Sequence, residues 1–178
     1  DTANKMTRMV NAMTKHFKDN NILVLDFETL GLDVHTGTAI SLALCFKPKT
    51  GYNIILPANP VKRNKLLQPL LPFLEDSNII KVMHNAKFDL KFFNKLGINL
   101  HGEIHDTMII DYLFNPTTKA HGLKKASVRH LNYQMITYKQ MIDGKDITEV
   151  DIQQLTNYAV EDADITLQLY HFLTNKLK

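Results

Sequence analysis

The chain has 178 residues, of which 44% are hydrophobic and 22% charged, a balance that excludes a disordered or fibrous polypeptide. Lys plus Arg number 21 and Asp plus Glu 18, so the formal net charge of +3 selects no partner by itself. The single cysteine, Cys45, rules out an intramolecular disulfide framework and a cysteine-based zinc site. No apolar run approaches the ~20 residues of a membrane span, and no signal-peptide pattern opens the chain. These features predict one soluble domain in a reducing compartment, the cytoplasm or an organelle. Asp1 stands where a Met would begin a gene product, which fits a piece of a longer polypeptide.

Met6, Val10, Met13 and Phe17 recur at helical spacing and predict a helix over residues 4–18. Asn20-Asn21 interrupts it before the apolar run Ile22–Leu25, a buried strand. Thr38–Phe46 and Tyr52–Leu56 are further strands joined by the turn-like Lys47-Pro48-Lys49-Thr50-Gly51, so the front of the chain reads as a meander. Lys65–Leu74 is helix-like but broken by Pro69 and Pro72. Ile79–Met83 is a fourth strand, and Lys87–Leu96 a helix stopped by Gly97. A short strand at Ile104–His105 precedes helices over Thr107–Phe114 and Leu123–Leu131. The last helix starts with Thr148 three residues before Asp151, resembling a capping box, and should run to about Leu177. Strands first, then strands alternating with helices, predict an α/β domain with a mixed sheet.

The chemistry lies in the acidic residues at the edges of these segments. Asp26 and Glu28 end the first strand as Leu25-Asp26-Phe27-Glu28-Thr29. Residues two apart on a strand share a face. Two carboxylates held together repel each other, and a divalent cation with oxygen ligands relieves that; the polar end of an ordinary strand fits the pattern as well. Asp89, in His84-Asn85-Ala86-Lys87-Phe88-Asp89, sits in the first turn of a helix, where the helix dipole alone accounts for an acid. Tyr158 and Asp162 are four apart on the last helix and share a face. Glu161 and Asp164 beside them also suit a solvated acidic surface.

Taken in order, Asp-x-Glu, Asn-x-x-x-Asp and Tyr-x-x-x-Asp resemble the three exonuclease motifs of the DEDD superfamily, in its tyrosine-bearing subgroup. Tyr158-Ala159-Val160-Glu161-Asp162-Ala163-Asp164-Ile165-Thr166-Leu167-Gln168-Leu169 and Asp106-Thr107-Met108 are most similar to the 3′–5′ proofreading domain of family A DNA polymerases. The resemblance covers roughly residues 20–178. It implies a ribonuclease H-like fold, a mixed five-stranded sheet flanked by helices, with 1–178 a single exonuclease domain and 1–20 a helical extension.

The resemblance further implies that Asp26, Glu28, Asp89 and Asp162 hold two divalent ions, Mg²⁺ or Mn²⁺. Asp26 would bridge them, with Glu28 and Asp162 completing one site and Asp89 serving the other through water. Tyr158 would orient the attacking water with Glu28, since a phenol of pKa about 10 is a poor base. Thr29, Leu32, Asn85 and Tyr138 match positions that contact the terminal nucleotide, although plain packing also accounts for Leu32 and Tyr138. The implied partner is the 3′ end of single-stranded DNA, read without sequence preference, with a polymerase domain in the same parent chain and no membrane. A ribonuclease-D-like RNA exonuclease and a catalytically silent module are the competing readings.

Residues 112–142 contain Lys119, Lys124, Lys125, Arg129 and Lys139 but no acid, with Tyr112, Phe114, Tyr133 and Tyr138 among them. Interleaved cations and aromatics suit single strands, and a solvated basic face is the alternative. Residues 34–74 are likewise acid-free and basic. The crowd His101, Glu103, His105 and Asp106 has neither helical His spacing nor a cysteine, which argues against zinc.

Overall fold

A computed structural model describes residues 2–177. Its centre is β1 (Ile22–Leu30), which pairs antiparallel with β2 (Thr38–Lys47), itself antiparallel to β3 (Thr50–Ile55). On the other side, β1 runs parallel to β4 (Ile80–Met83) and β4 parallel to β5 (Ile104–Asp106). The result is the expected five-stranded mixed sheet, in the order β3-β2-β1-β4-β5.

Alternation along β1 sends successive side chains into different layers. Leu23, Leu25 and Phe27 enter a large core with Leu42 and Leu44, closed by α1 (Thr2–His16) through Met9 and Met13 and by α4 (Ala86–Lys95) through Phe92 and Phe93. The helices α2 (Pro60–Leu67) and α3 (Leu71–Leu74), joined by a 3₁₀ turn, complete that layer. Val24 faces the opposite way. It packs with Ala43, Cys45 and Val82 against Ala159, Ala163, Leu167 and Tyr170 of α8 (Ile152–Lys176). Each fully buried Leu or Phe of these layers contributes about 1.5–3 kcal/mol. Asp26 and Glu28 continue the Val24 face, so the strand's alternation carries both toward α8.

Glycine permits the closest part of that contact. A Cβ on Gly51 would lie 2.6 Å from Val160 Cγ1, so α8 could not approach β3 as it does over any larger residue. The helices α5 (Thr107–Phe114) and α6 (Leu123–Leu131) flank α8, with Ala126 packed on Leu169 and Leu173.

β1 runs to Leu30, past the expected Leu25, and α2 starts at Pro60, ahead of the expected Lys65; two further departures lie toward the end of the chain. A short helix, α7 (Tyr138–Ile142), occupies a stretch in which no element is expected, and Thr137 and Gln140 form its capping box. The last helix is capped by Asp151, which accepts from the Gln153 and Gln154 N–H groups; Thr148 belongs to a separate 3₁₀ turn capped by Asp146. Both acids offer a carboxylate to free N–H groups, and each starts its own element.

Candidate active site

β1 outruns its parallel partner. Pairing with β4 ends at Val24, whereas pairing with β2 continues past Glu28. The sheet therefore opens at the carboxyl ends of β1 and β4, where ligands of open α/β sheets bind. A register shift between Glu28 and Thr29 follows immediately, and such bulges re-aim side chains at strand ends.

Asp26, Glu28 and Asp162 converge there, each with a carboxylate oxygen within 4.8 Å of the others. Asp162 reaches the spot because it lies one helical turn beyond Tyr158 on the buried border of α8. Asp89 is almost wholly buried and accepts a 2.9 Å hydrogen bond at Oδ1 from the Phe27 N–H. Its helix is set by Asp106, whose Oδ1 accepts from Asn85 N and Met108 N and whose Oδ2 accepts from Ala86 N, at 2.8–2.9 Å.

Burial and mutual repulsion push these carboxyls above their ordinary range. Burial, then Asp89, Glu28 and Asp162, raise Asp26 well above it. Burial and Asp162 bring Glu28 up to about 8. Burial brings Asp89 up to about 7. It also lifts Asp162 to about 6, against the pull of Lys124. The Tyr158 hydroxyl is pushed up by burial, Asp162 and Glu28. That shift favours the neutral phenol.

A donor set made only of carboxylates, closely spaced and costly to ionise, fits a hard divalent cation such as Mg²⁺ or Mn²⁺. The segment His101–Asp106 assembles no such group among the described residues: His105 bonds Glu103 and the Tyr170 hydroxyl, and His101 the Glu75 carbonyl.

The proposed substrate residues surround this cluster unevenly. Tyr138, at the start of α7, stands edge-on to Tyr158 with ring centroids 6.5 Å apart. Asn85 caps α4 with φ +68°, a left-handed conformation Asn tolerates. Thr29 Oγ1 donates to the Gly31 carbonyl at 2.9 Å, starting the loop that leaves Leu32 85% exposed. That loop is knit tightly. Lys95 Nζ donates to the carbonyls of Val34 and Gly37 at 2.7 and 2.6 Å.

Lys124 was not expected at the site, and several other charged residues have partners that were not expected. Lys124 points inward, pairs with Asp162 and lies 4.3 Å above the Tyr158 ring. Arg129 is also drawn in: its Nη1 donates to both oxygens of fully buried Asp111, at 2.9 and 2.7 Å. Two cations of the 112–142 stretch are thus neutralised internally, and only the remainder forms a basic surface. Glu161 accepts from the Tyr133 hydroxyl and Ile136 N–H, and Asp164 from the Lys49 N–H. These acids anchor neighbouring segments and do not form a purely solvated face. Acid-free composition and isolated acids gave no local signal of such long-range pairings.

The chain is similar to known proteins along nearly its whole length. Residues 2–178 match the profile of the 3′-5′ exonuclease family. DNA polymerase I of Borreliella burgdorferi is 31% identical over 170 residues, 93% of this chain and 18% of the relative. DNA polymerase I of Pseudomonas aeruginosa is 27% identical over 181 residues, 94% of this chain and 20% of the relative. The chain thus spans about a fifth of the length of these relatives. Among solved structures, Brucella melitensis NrnC bound to pGG superposes with a TM-score of 0.73 at 24% identity, over 88% of this chain and 73% of that one. Escherichia coli RNase D, an exoribonuclease, superposes with 0.71 at 17% identity, over 94% and 42%. Both share the fold. The sequence match across nearly the whole chain, with its acidic motifs gathered at one sheet end, places the chain in the 3′-5′ exonuclease family, of the type found in DNA polymerase I.

Proposed function

We propose that the chain removes nucleotides one at a time from the 3′ end of single-stranded or frayed DNA, releasing nucleoside 5′-monophosphates. The observation that carries this reading is the convergence of Asp26, Glu28 and Asp162 within 4.8 Å at the open end of the sheet. In this reading Asp26, Glu28 and Asp162 hold one divalent ion, and Asp26 with Asp89 a second. Two such ions, when bound, neutralise charge on the attacking and leaving oxygens of a phosphodiester.

The chain's own residues supply binding and orientation. Tyr158, protonated and packed under Lys124, directs its hydroxyl to the attacking water together with Glu28. Leu32 and Tyr138 offer apolar surface to the terminal base, and base stacking of this kind is tolerant of sequence. Thr29 and Asn85 provide polar contacts to the terminal nucleotide. Backbone phosphates meet the remaining lysines, so affinity falls as salt rises. DNA is preferred over RNA because the matching relatives are DNA polymerases I. Those relatives are several times longer, and we infer that a polymerase domain belongs to the same parent polypeptide.

A 5′-labelled single strand incubated with Mg²⁺ should give a ladder shortening from the 3′ end, with none in EDTA. Absence of cleavage in both Mg²⁺ and Mn²⁺ would leave a silent module as the reading. Faster degradation of RNA of the same sequence would favour a ribonuclease-D-like enzyme.

A further inference from the structure

The proposed metal site already contains a cation. The Lys124 ammonium is in contact with Asp162 Oδ1, and its field reaches Asp26 and Glu28 as well. It also covers the Tyr158 ring from 4.3 Å, a position in which a desolvated ammonium gains from the ring's negative face. This is no stray surface side chain, since only a quarter of it is exposed.

The surrounding structure fixes the base of its stem. Lys124 lies in the first turn of α6, and the residues just before that helix are fastened from three sides. His84 Nε2 donates to the His121 carbonyl at 2.9 Å, His121 Nδ1 pairs with Asp111 Oδ2 at 2.7 Å, and Arg129 donates to the Ala120 carbonyl. Asp111 also accepts from His130 at 2.6 Å. The buried Asp111 cluster fixes the base of the Lys124 stem, while the four-carbon stem leaves its head free to move.

The clustered carboxyl groups of Asp26, Glu28 and Asp162 outnumber the one ammonium, which favours a second cation. Yet an ion ligated by Asp162, Glu28 and Asp26 would lie within a few ångströms of the ammonium, where like charges repel strongly. We infer that Lys124 is an internal counter-ion, which steadies the carboxylate cluster before metal arrives and is displaced from Asp162 when metal binds. This rests on the carboxylate reading above. It adds that metal loading is an exchange of one cation for another, so Lys124 lowers metal affinity while protecting the empty site.

The test is Mn²⁺ binding at pH 8, read from the electron paramagnetic resonance of the free ion, together with melting in EDTA. Lys124→Met should bind Mn²⁺ roughly tenfold more tightly than wild type, melt lower in EDTA and gain more from added Mn²⁺. Lys124→Gln, which keeps a hydrogen-bond donor near Asp162, should shift the same way. Lys124→Arg keeps the charge and should stay near wild type in both measurements. Equal or weaker Mn²⁺ binding by the two neutral variants would overturn the exchange, as would their failure to fold even with Mn²⁺. If no protein in the set, wild type included, binds Mn²⁺, the carboxylate site itself fails and the exchange falls with it.

Discussion

The main-chain N–H of Phe27 donates a 2.9 Å hydrogen bond to Asp89 Oδ1, joining residues 62 apart in sequence. Phe27 sits between Asp26 and Glu28 with its ring in the opposite layer, against Phe93 at 4.6 Å between centroids. The bond therefore uses the peptide between the two acids of β1 to hold the acid of α4. It fixes the Asp89 carboxyl beside β1.

Asp89→Asn keeps an oxygen for Phe27 but loses the charge. It should retain the fold and cut cleavage in Mg²⁺ severely, with a melting temperature in EDTA no lower than wild type, because a buried repulsive charge is gone. Asp89→Ala also strands a buried N–H, at a cost of about 1–3 kcal/mol, and should melt lower. Asp26→Asn should reduce cleavage by roughly 10³-fold or more. Full activity in either charge-removing variant, measured on a labelled single strand, would refute the metal assignment.

Tyr158→Phe removes only the hydroxyl proposed to direct the attacking water. The ring, its edge contact with Tyr138 and the Lys124 above it all remain. The single-turnover rate should fall by roughly ten- to a hundredfold, the scale set by a misplaced reactant, with DNA affinity unchanged. An unaltered rate would take Tyr158 out of the chemistry.

Lys95 holds the loop that presents Leu32. Its ammonium donates to the Val34, His35 and Gly37 carbonyls, and the Gly37 N–H closes the loop on the Asp33 carbonyl at 2.6 Å. Lys95→Met should loosen this loop without touching the carboxylates. We expect KM for single-stranded DNA to rise several-fold in both Lys95→Met and Leu32→Ala, with kcat changed much less. A fall in kcat alone would separate Leu32 from substrate binding.

The parts legible in the sequence were those with a local period. Alternation placed Asp26 and Glu28 on one face, and the four-residue spacing placed Tyr158 and Asp162 on one border of α8. The short helix α7 was hidden by its length, although Thr137 and Gln140 carried its capping box. Lys124 and Arg129 read as surface cations because their partners, Asp162 and Asp111, lie 38 and 18 residues away. Asp111 itself gave no sign. A lone acid among Ile110 and Tyr112 shows its meaning only once His121, Arg129 and His130 are folded around it.

The same network predicts how stability responds to acid. Burial lowers the His84 imidazole to about 4 from an ordinary value of 6.5. Its Nε2–H faces the His121 carbonyl and its Nδ1 the Thr107 hydroxyl at 2.8 Å, which suits the neutral ring. The unfolded chain takes up this proton below about pH 6.5, but the folded chain not until about 4. The contribution is thus complete above 6.5 and lost as pH falls toward 4, by up to about 3 kcal/mol. Asp111 acts lower. Although burial pushes it up, hydrogen bonds from His130, Arg129 and His121 outweigh that and hold it at about 2, so its share is lost only below about pH 4. His84→Gln can donate to the same carbonyl and does not titrate, and subtracting its denaturation profile removes the groups not coupled to His84. The stability difference, wild type minus variant, should shrink by about 3 kcal/mol between pH 7 and pH 4; parallel profiles would mean that His84 is not held neutral in the fold.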